Sequence, residues 1–248
     1  MNRIASLAIV CLLASGALHA AELSVAVAAN FTAPMKEVAA AFEKQTGHTL
    51  ALSFGSTGKF YAQIRNGAPF DVLFAADTAT PARLEQEGLG VADTRFTYAI
   101  GKLVLWSKQP GYVDDKGDVL RKGQFDRIAL ANPKLAPYGA AAIQTLQKLG
   151  LATTLASKFV QGENIGQAWQ FVATANVPLG FVALSQVTAQ GRITDGSAWV
   201  VPEDLYEPIR QDALILAKGR DHPAAAALMH YVQGDEARDI IRSYGYGF

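Results

Sequence analysis

A two-lobed α/β fold with mainly parallel sheets is predicted by three features of the sequence. Short apolar, β-branched runs alternate with amphipathic stretches of helical period. The alternation runs through two units and then a return segment. Half of the residues are hydrophobic, which excludes disorder and lets a chain of this length bury a core without cross-links.

The elements follow in order. Leu23 to Ala29 reads as a buried strand, and Ala33 to Gln45 as a helix with Met35, Val38, Ala39 and Phe42 on one stripe. Leu50 to Phe54 is the next strand. Lys59 to Asn66 is a short helix ended by Gly67, and Asp71 to Phe74 a strand. Asp77 is placed to cap a helix from Pro81 to Glu87, which Gly88 stops. The second unit has strands at Leu103 to Trp106, Arg127 to Ala131 and Gly180 to Ala183. Its helices are Ala140 to Leu149, closed by Gly150, and Gln167 to Thr174. A late strand, Ala213 to Leu216, leads to helices Pro223 to Val232 and Glu236 to Tyr244. The chain is expected to cross between lobes near Gly101–Trp106 and Gln211–Leu216, giving lobe 1 as 21–102 plus 214–248 and lobe 2 as 103–213. No solenoid-period repeat or low-complexity segment occurs.

The N-terminus carries an export signal over residues 1–20. Arg3 supplies the positive charge, Ile4 to Leu13 an apolar run too short to span a bilayer, and Ala17-Leu18-His19-Ala20 a small residue at the cleavage point. The single cysteine, Cys11, follows Val10, which is not the small residue a lipid anchor needs. Cleavage near Ala20 removes it, so neither a disulfide nor thiol chemistry is expected in the mature chain. The chain has 22 basic and 22 acidic residues. Without a basic stripe it is not expected to bind nucleic acid.

Enzyme motifs are weak. His48, His222 and His230 remain after cleavage, and none has metal-ligand spacing. Gly55-Ser56-Thr57-Gly58 is one residue short of the Gly-x-Ser-x-Gly elbow of serine hydrolases. A secreted hydrolase using Ser56 therefore stands only as the rival from another class, requiring a histidine near Ser56 in space.

Four strand ends run into small or polar residues just before a helix: Asn30-Phe31-Thr32, Gly55-Ser56-Thr57-Gly58, Ala136-Pro137-Tyr138-Gly139 and Glu163-Asn164-Ile165-Gly166. Such junctions present free backbone N–H groups and the positive end of a helix dipole, which bind anions without a charged side chain. Ordinary N-capping by Ser, Thr and Asn is the alternative at each.

At these junctions the sequence resembles the ModA family of periplasmic molybdate-binding proteins. The resemblance is carried by Ala28-Ala29-Asn30-Phe31-Thr32, by Phe54 to Ile64 and by Gly67 to Asp77. It continues in Phe96 to Ser107, Asn132-Pro133, Ala136-Pro137-Tyr138-Gly139, Asn164-Ile165-Gly166-Gln167-Ala168 and Leu179 to Leu184. It implies a type II periplasmic-binding-protein fold: two α/β lobes, a two-strand hinge and an anion in the cleft. It implies no catalysis and no cofactor, with molybdate or tungstate as ligand, an ABC permease and its ATPase as partners, a monomeric state and a periplasmic location. The ligand positions it implies are Asn30, through side-chain amide or backbone N–H, Ser56, through hydroxyl and backbone N–H, and Tyr138 and Ile165, through backbone N–H. A tyrosine that one branch adds from the strand after Gly180 is replaced here by Ala183, and a threonine of another branch by Ala29. A sulfate-type binder is the rival within this class.

Overall fold

The computed structural model describes residues 22–248; the predicted signal segment 1–20 and Cys11 lie outside the described residues. The first lobe opens with β1 (Glu22–Ala28), a 3-10 turn at Ala29–Phe31, and α1 (Thr32–Thr46). There follow β2 (Thr49–Gly55), α2 (Thr57–Arg65), β3 (Val72–Phe74), α3 (Ala79–Gln86) and β4 (Phe96–Gly101). Met35, Val38, Ala39 and Phe42 are all buried on α1, as their spacing predicts. Asp77 accepts the Thr80 N–H at 2.7 Å, the capping role expected of it.

Lys102 alone separates β4 from β5 (Leu103–Ser107), the first strand of the second lobe. That lobe continues with α4 (Val119–Lys122), β6 (Ile128–Ala131), α5 (Pro137–Lys148), α6 (Ala152–Leu155) and β7 (Phe159–Gly162). It ends with α7 (Ile165–Ala173), β8 (Leu179–Ala183), a small hairpin of β9 (Thr188–Ala189) and β10 (Arg192–Ile193), and β11 (Ser197–Val200). The chain returns through β12 (Ile209–Ile215) to α8 (Pro223–Gln233) and α9 (Asp235–Ser243).

Each lobe is built on a five-stranded sheet, ordered β2-β1-β3-β12-β4 in the first and β11-β5-β8-β6-β7 in the second. The sheets are mixed rather than mainly parallel. Pairs β1–β2, β1–β3, β6–β7 and β6–β8 are parallel, while β12 runs antiparallel to β3 and β4, and β5 antiparallel to β8 and β11. The strands that carry the chain between lobes cause this, because each enters its new sheet from the hinge end, against the strand direction already there.

Helix starts depart from the sequence reading in one direction. α2, α5 and α7 begin at Thr57, Pro137 and Ile165, upstream of the predicted Lys59, Ala140 and Gln167. Glycine and proline there resemble loop composition, yet the first helical turn has no intrahelical N–H bonds to lose. β12 also starts early, pairing Ile209 with Gly101. The return crossing therefore precedes Ile209 rather than lying at Gln211–Leu216, and 209–213 belong with the first sheet. Gln211 and Asp212 broke the apolar run by which strands are recognised.

The core positions the cleft. α8 and α9 close the first lobe, with Leu228 and Ile241 packed in the same cluster as Val25, Phe31 and Phe42. Phe31 is fully buried among Phe74, Tyr98 and Tyr246, at ring-centroid distances of 6.3, 4.8 and 5.4 Å. This clamps the turn that carries Asn30. Ala28, Ala29 and Ala76 of the first lobe join the core cluster of the second, so the lobes meet in an apolar contact around the cleft.

Candidate functional site

Three helix N-termini and the Ala29–Phe31 turn converge where the lobes meet. The cavity between them is lined by Ala29, Asn30, Ser56, Thr57, Tyr138 and Ile165 with small neighbours, and no lining residue is charged. About 10 Å³ is open to the centre of a water-sized sphere, roughly the room one small body needs. A larger open groove of about 290 Å³ beside Trp169 is mostly apolar and shares Asn30 with the cavity, but not Ser56, Tyr138 or Ile165.

All four predicted positions line this cavity, and all are buried: Asn30, Ser56, Tyr138 and Ile165 are 2, 3, 1 and 3 % exposed. Ser56 is the N-cap residue of α2, with extended backbone, but its hydroxyl makes no capping bond. Its Oγ is buried without a hydrogen-bond partner among the described residues. An orphaned buried hydroxyl costs about 1–3 kcal/mol, so a partner that enters the cavity restores what the fold leaves unpaired. Asn164 behaves oppositely. Its Oδ1 accepts the Gln167 N–H at 3.0 Å and caps α7 in the ordinary way.

Backbone donors complete the set. Among the described residues, the N–H groups of Ser56, Tyr138 and Ile165 have no protein acceptor. They belong to first-turn positions of α2, α5 and α7, where the dipoles add positive potential. A small anion would thus meet donors from both lobes without meeting a formal charge.

The side chains of Asn30 and Tyr138 point elsewhere. Asn30 Nδ2 donates to Gln211 Oε1 at 2.7 Å and to Tyr246 Oη at 3.0 Å, which uses both amide hydrogens. Its backbone carbonyl accepts from Ser185 Oγ at 2.7 Å and Tyr246 Oη at 2.9 Å. The backbone N–H is therefore the donor Asn30 has left for the cavity. The Tyr138 phenol turns to the hinge, accepting from Gln211 Nε2 at 3.3 Å. Burial holds the Tyr98 and Tyr138 phenols well above the ordinary range and pushes Tyr246 up to about 12. All three are neutral hydrogen-bonding groups in this network. Sequence reading missed Gln211, Tyr246 and Ser185, because a polar residue inside a strand or after the last helix carries no local signature.

Ala183 is fully buried and is not part of the cavity wall. Among the described residues no histidine hydrogen-bonds the Ser56 hydroxyl, as a serine nucleophile would require. His222 instead caps α8, its Nδ1 accepting the Ala224 N–H at 3.3 Å.

Lys59, in the first turn of α2 after Ser56, forms an ion pair. Its Nζ lies 2.8 Å from Glu163 Oε2 across the mouth of the cleft, with both side chains more than half exposed. Beside it the Gly58 N–H donates to the Leu135 carbonyl of the other lobe at 3.0 Å. An exposed ion pair contributes about 0–1 kcal/mol, and Glu163 neutralises the lysine locally. Lys59→Ala is therefore expected to change anion affinity by no more than about fivefold, measured by calorimetric titration. A hundredfold loss would mean the anion uses the lysine charge.

The family described as "Bacterial extracellular solute-binding protein" matches residues 23–247. The molybdate-binding protein ModA of Azotobacter vinelandii is 63% identical over 231 residues, covering 93% of this chain and 92% of that protein. That of Rhodobacter capsulatus is 52% identical over 227 residues, covering 92% and 88%. The solved structure of an Azotobacter vinelandii periplasmic molybdate-binding protein superimposes with a TM-score of 0.88 at 43% identity, covering 91% of this chain and 99% of that one.

Proposed function

Because the chain belongs to the ModA family of bacterial extracellular solute-binding proteins, we propose that it captures molybdate between its lobes and delivers it to the permease and ATPase of an ABC importer. The observation that carries this reading is the orphaned, buried Ser56 hydroxyl in a small cavity that also gathers unpaired N–H groups from both lobes. Asn30, Ser56, Tyr138 and Ile165 are the proposed ligand positions, with Asn30 acting through its backbone. The mature protein starts near residue 21 and works in the periplasm as a non-catalytic monomer without a cofactor.

The mechanism is closure on a dehydrated dianion. Each charge-assisted hydrogen bond contributes about 1.5–3 kcal/mol. Donors from both lobes can contact the ion at once only when the cleft is shut, so the ion favours the closed state by its differential affinity. Selectivity follows from a site made of donors. Hydrogen phosphate carries its own O–H, and where that group faces a backbone N–H both are left unpaired, at about 1–3 kcal/mol. Sulfate has the charge and shape of molybdate but shorter bonds, so cavity size must separate them.

Calorimetric titration with molybdate, tungstate, sulfate and phosphate tests the reading. Molybdate and tungstate are expected to bind at least about tenfold more tightly than the other two, a difference of about 1.4 kcal/mol or more. Sulfate binding as tightly as molybdate would reassign the protein as a general oxyanion binder.

A further inference from the structure

β12 is buried within the first sheet, where apolar residues are the rule, yet Gln211 and Asp212 are 0 and 1 % exposed. The strand register shifts between them. Asp212 is accounted for by Arg95 at 2.8 Å and Thr97 Oγ1 at 2.7 Å. Gln211 faces the back of the cleft. Its Oε1 accepts from Asn30 Nδ2 at 2.7 Å and lies 3.0 Å from Tyr98 Oη, and its Nε2 donates to Tyr138 Oη at 3.3 Å. One amide on the hinge strand therefore holds a residue from each lobe, and both are proposed ligand positions. Gly101, opposite Ile209 at the other crossing, belongs to the same arrangement: a Cβ there would overlap Tyr138 Oη and Gln211 Nε2.

We propose that Gln211 is a positioning residue that fixes the spacing between the donors of the two lobes in the closed state, and so sets which size of tetrahedral oxyanion is held best. The proposal rests on the reading of the cleft as an oxyanion site. The coupling is short and stiff. A single methylene joins the Asn30 amide to its backbone, and a rigid ring joins the Tyr138 phenol to the first turn of α5. Hydrogen bonds weaken steeply as their length and angle depart from the optimum, so a small displacement of either donor changes the fit for a larger ion against a smaller one. Nothing else on β12 reaches both residues.

The test measures dissociation constants for molybdate and sulfate by calorimetry on the parent, Gln211→Leu, Gln211→Asn and Ser56→Ala, with ion-free thermal unfolding as the folding control. Gln211→Leu keeps the volume and removes every hydrogen bond of the amide. It is expected to bind molybdate about tenfold more weakly, sulfate being less affected, so that the molybdate-to-sulfate preference falls at least about threefold. Tyr138→Phe added to Gln211→Leu is expected to weaken binding by less than about twofold further, the phenol keeping only its contact to Tyr246 once the amide is gone. Gln211→Asn, too short to span both partners, carries the same expectation and replaces Gln211→Leu if that variant does not fold. A residue that only stabilises the fold would lower the unfolding temperature and leave the preference unchanged, and that result overturns the proposal. If Ser56→Ala loses affinity while the Gln211 variants keep the parental preference, the positioning role fails and the site stands. An unaffected Ser56→Ala would overturn the site and the proposal with it.

Discussion

Molybdate at one hundred times its dissociation constant is expected to stabilise the mature protein by about 2.7 kcal/mol. The proposed cavity is lined by residues of both lobes, so the unfolded chain would offer no competing site. For a protein of this size about 2–4 °C accompanies each kcal/mol, and thermal denaturation followed by circular dichroism should rise by roughly 5–11 °C. Tungstate should match molybdate, while equal concentrations of sulfate or phosphate should give no more than about half the shift. Added sodium chloride should alter the shift little, because the contacts are buried dipoles rather than exposed charges. Equal shifts from sulfate and molybdate would transfer the assignment to the sulfate-type reading, and no shift from any oxyanion would remove the ligand altogether.

Ser56→Ala is expected to weaken molybdate binding about thirtyfold, on the order of 2 kcal/mol. The hydroxyl has no other partner among the described residues, so its removal costs the folded protein little and takes one donor from the ion in a dry cavity. Ion-free stability should hold or rise slightly, since an unpaired buried group disappears. Two conservative changes serve as controls. Ile165→Val keeps the backbone N–H and nearly the same packing, and Tyr138→Phe keeps the backbone N–H and removes the phenol's contacts to Gln211, at 3.3 Å, and Tyr246. Each should change affinity by less than about fivefold, under roughly 1 kcal/mol. The opposite pattern, with Ser56→Ala neutral and Tyr138→Phe inactive, would mean that the phenol rather than the serine meets the ion.

Much of this was legible in the residues. The apolar stripe of α1 and the buried run of β1 appear in full, because period and β-branching report burial directly. The residues that line the cavity also fall in junctions picked out from the sequence, since small residues before a helix mark its N-terminus and N-termini converge at the strand ends of an α/β sheet. Less visible were β4, β7 and β11, as well as the true start of β12. These strands are short, or polar at a position that only neighbours from far along the chain make tolerable.

The sequence by itself determined an α/β chain with helix ends facing strand ends, and the ModA resemblance. Each is a property of neighbouring residues, whose spacing alone decides it. Only the tertiary structure decided that the Asn30 amide belongs to the hinge and that Lys59 meets Glu163 across the mouth. It also decided that the Ser56 hydroxyl, among the side-chain polar groups at the junctions, is left without a partner among the described residues. Asn30 and Gln211 stand 181 positions apart, and Lys59 and Glu163 104. Whether a donor is satisfied depends on which distant group folding brings within about 3 Å, and local sequence pattern holds no record of that distance.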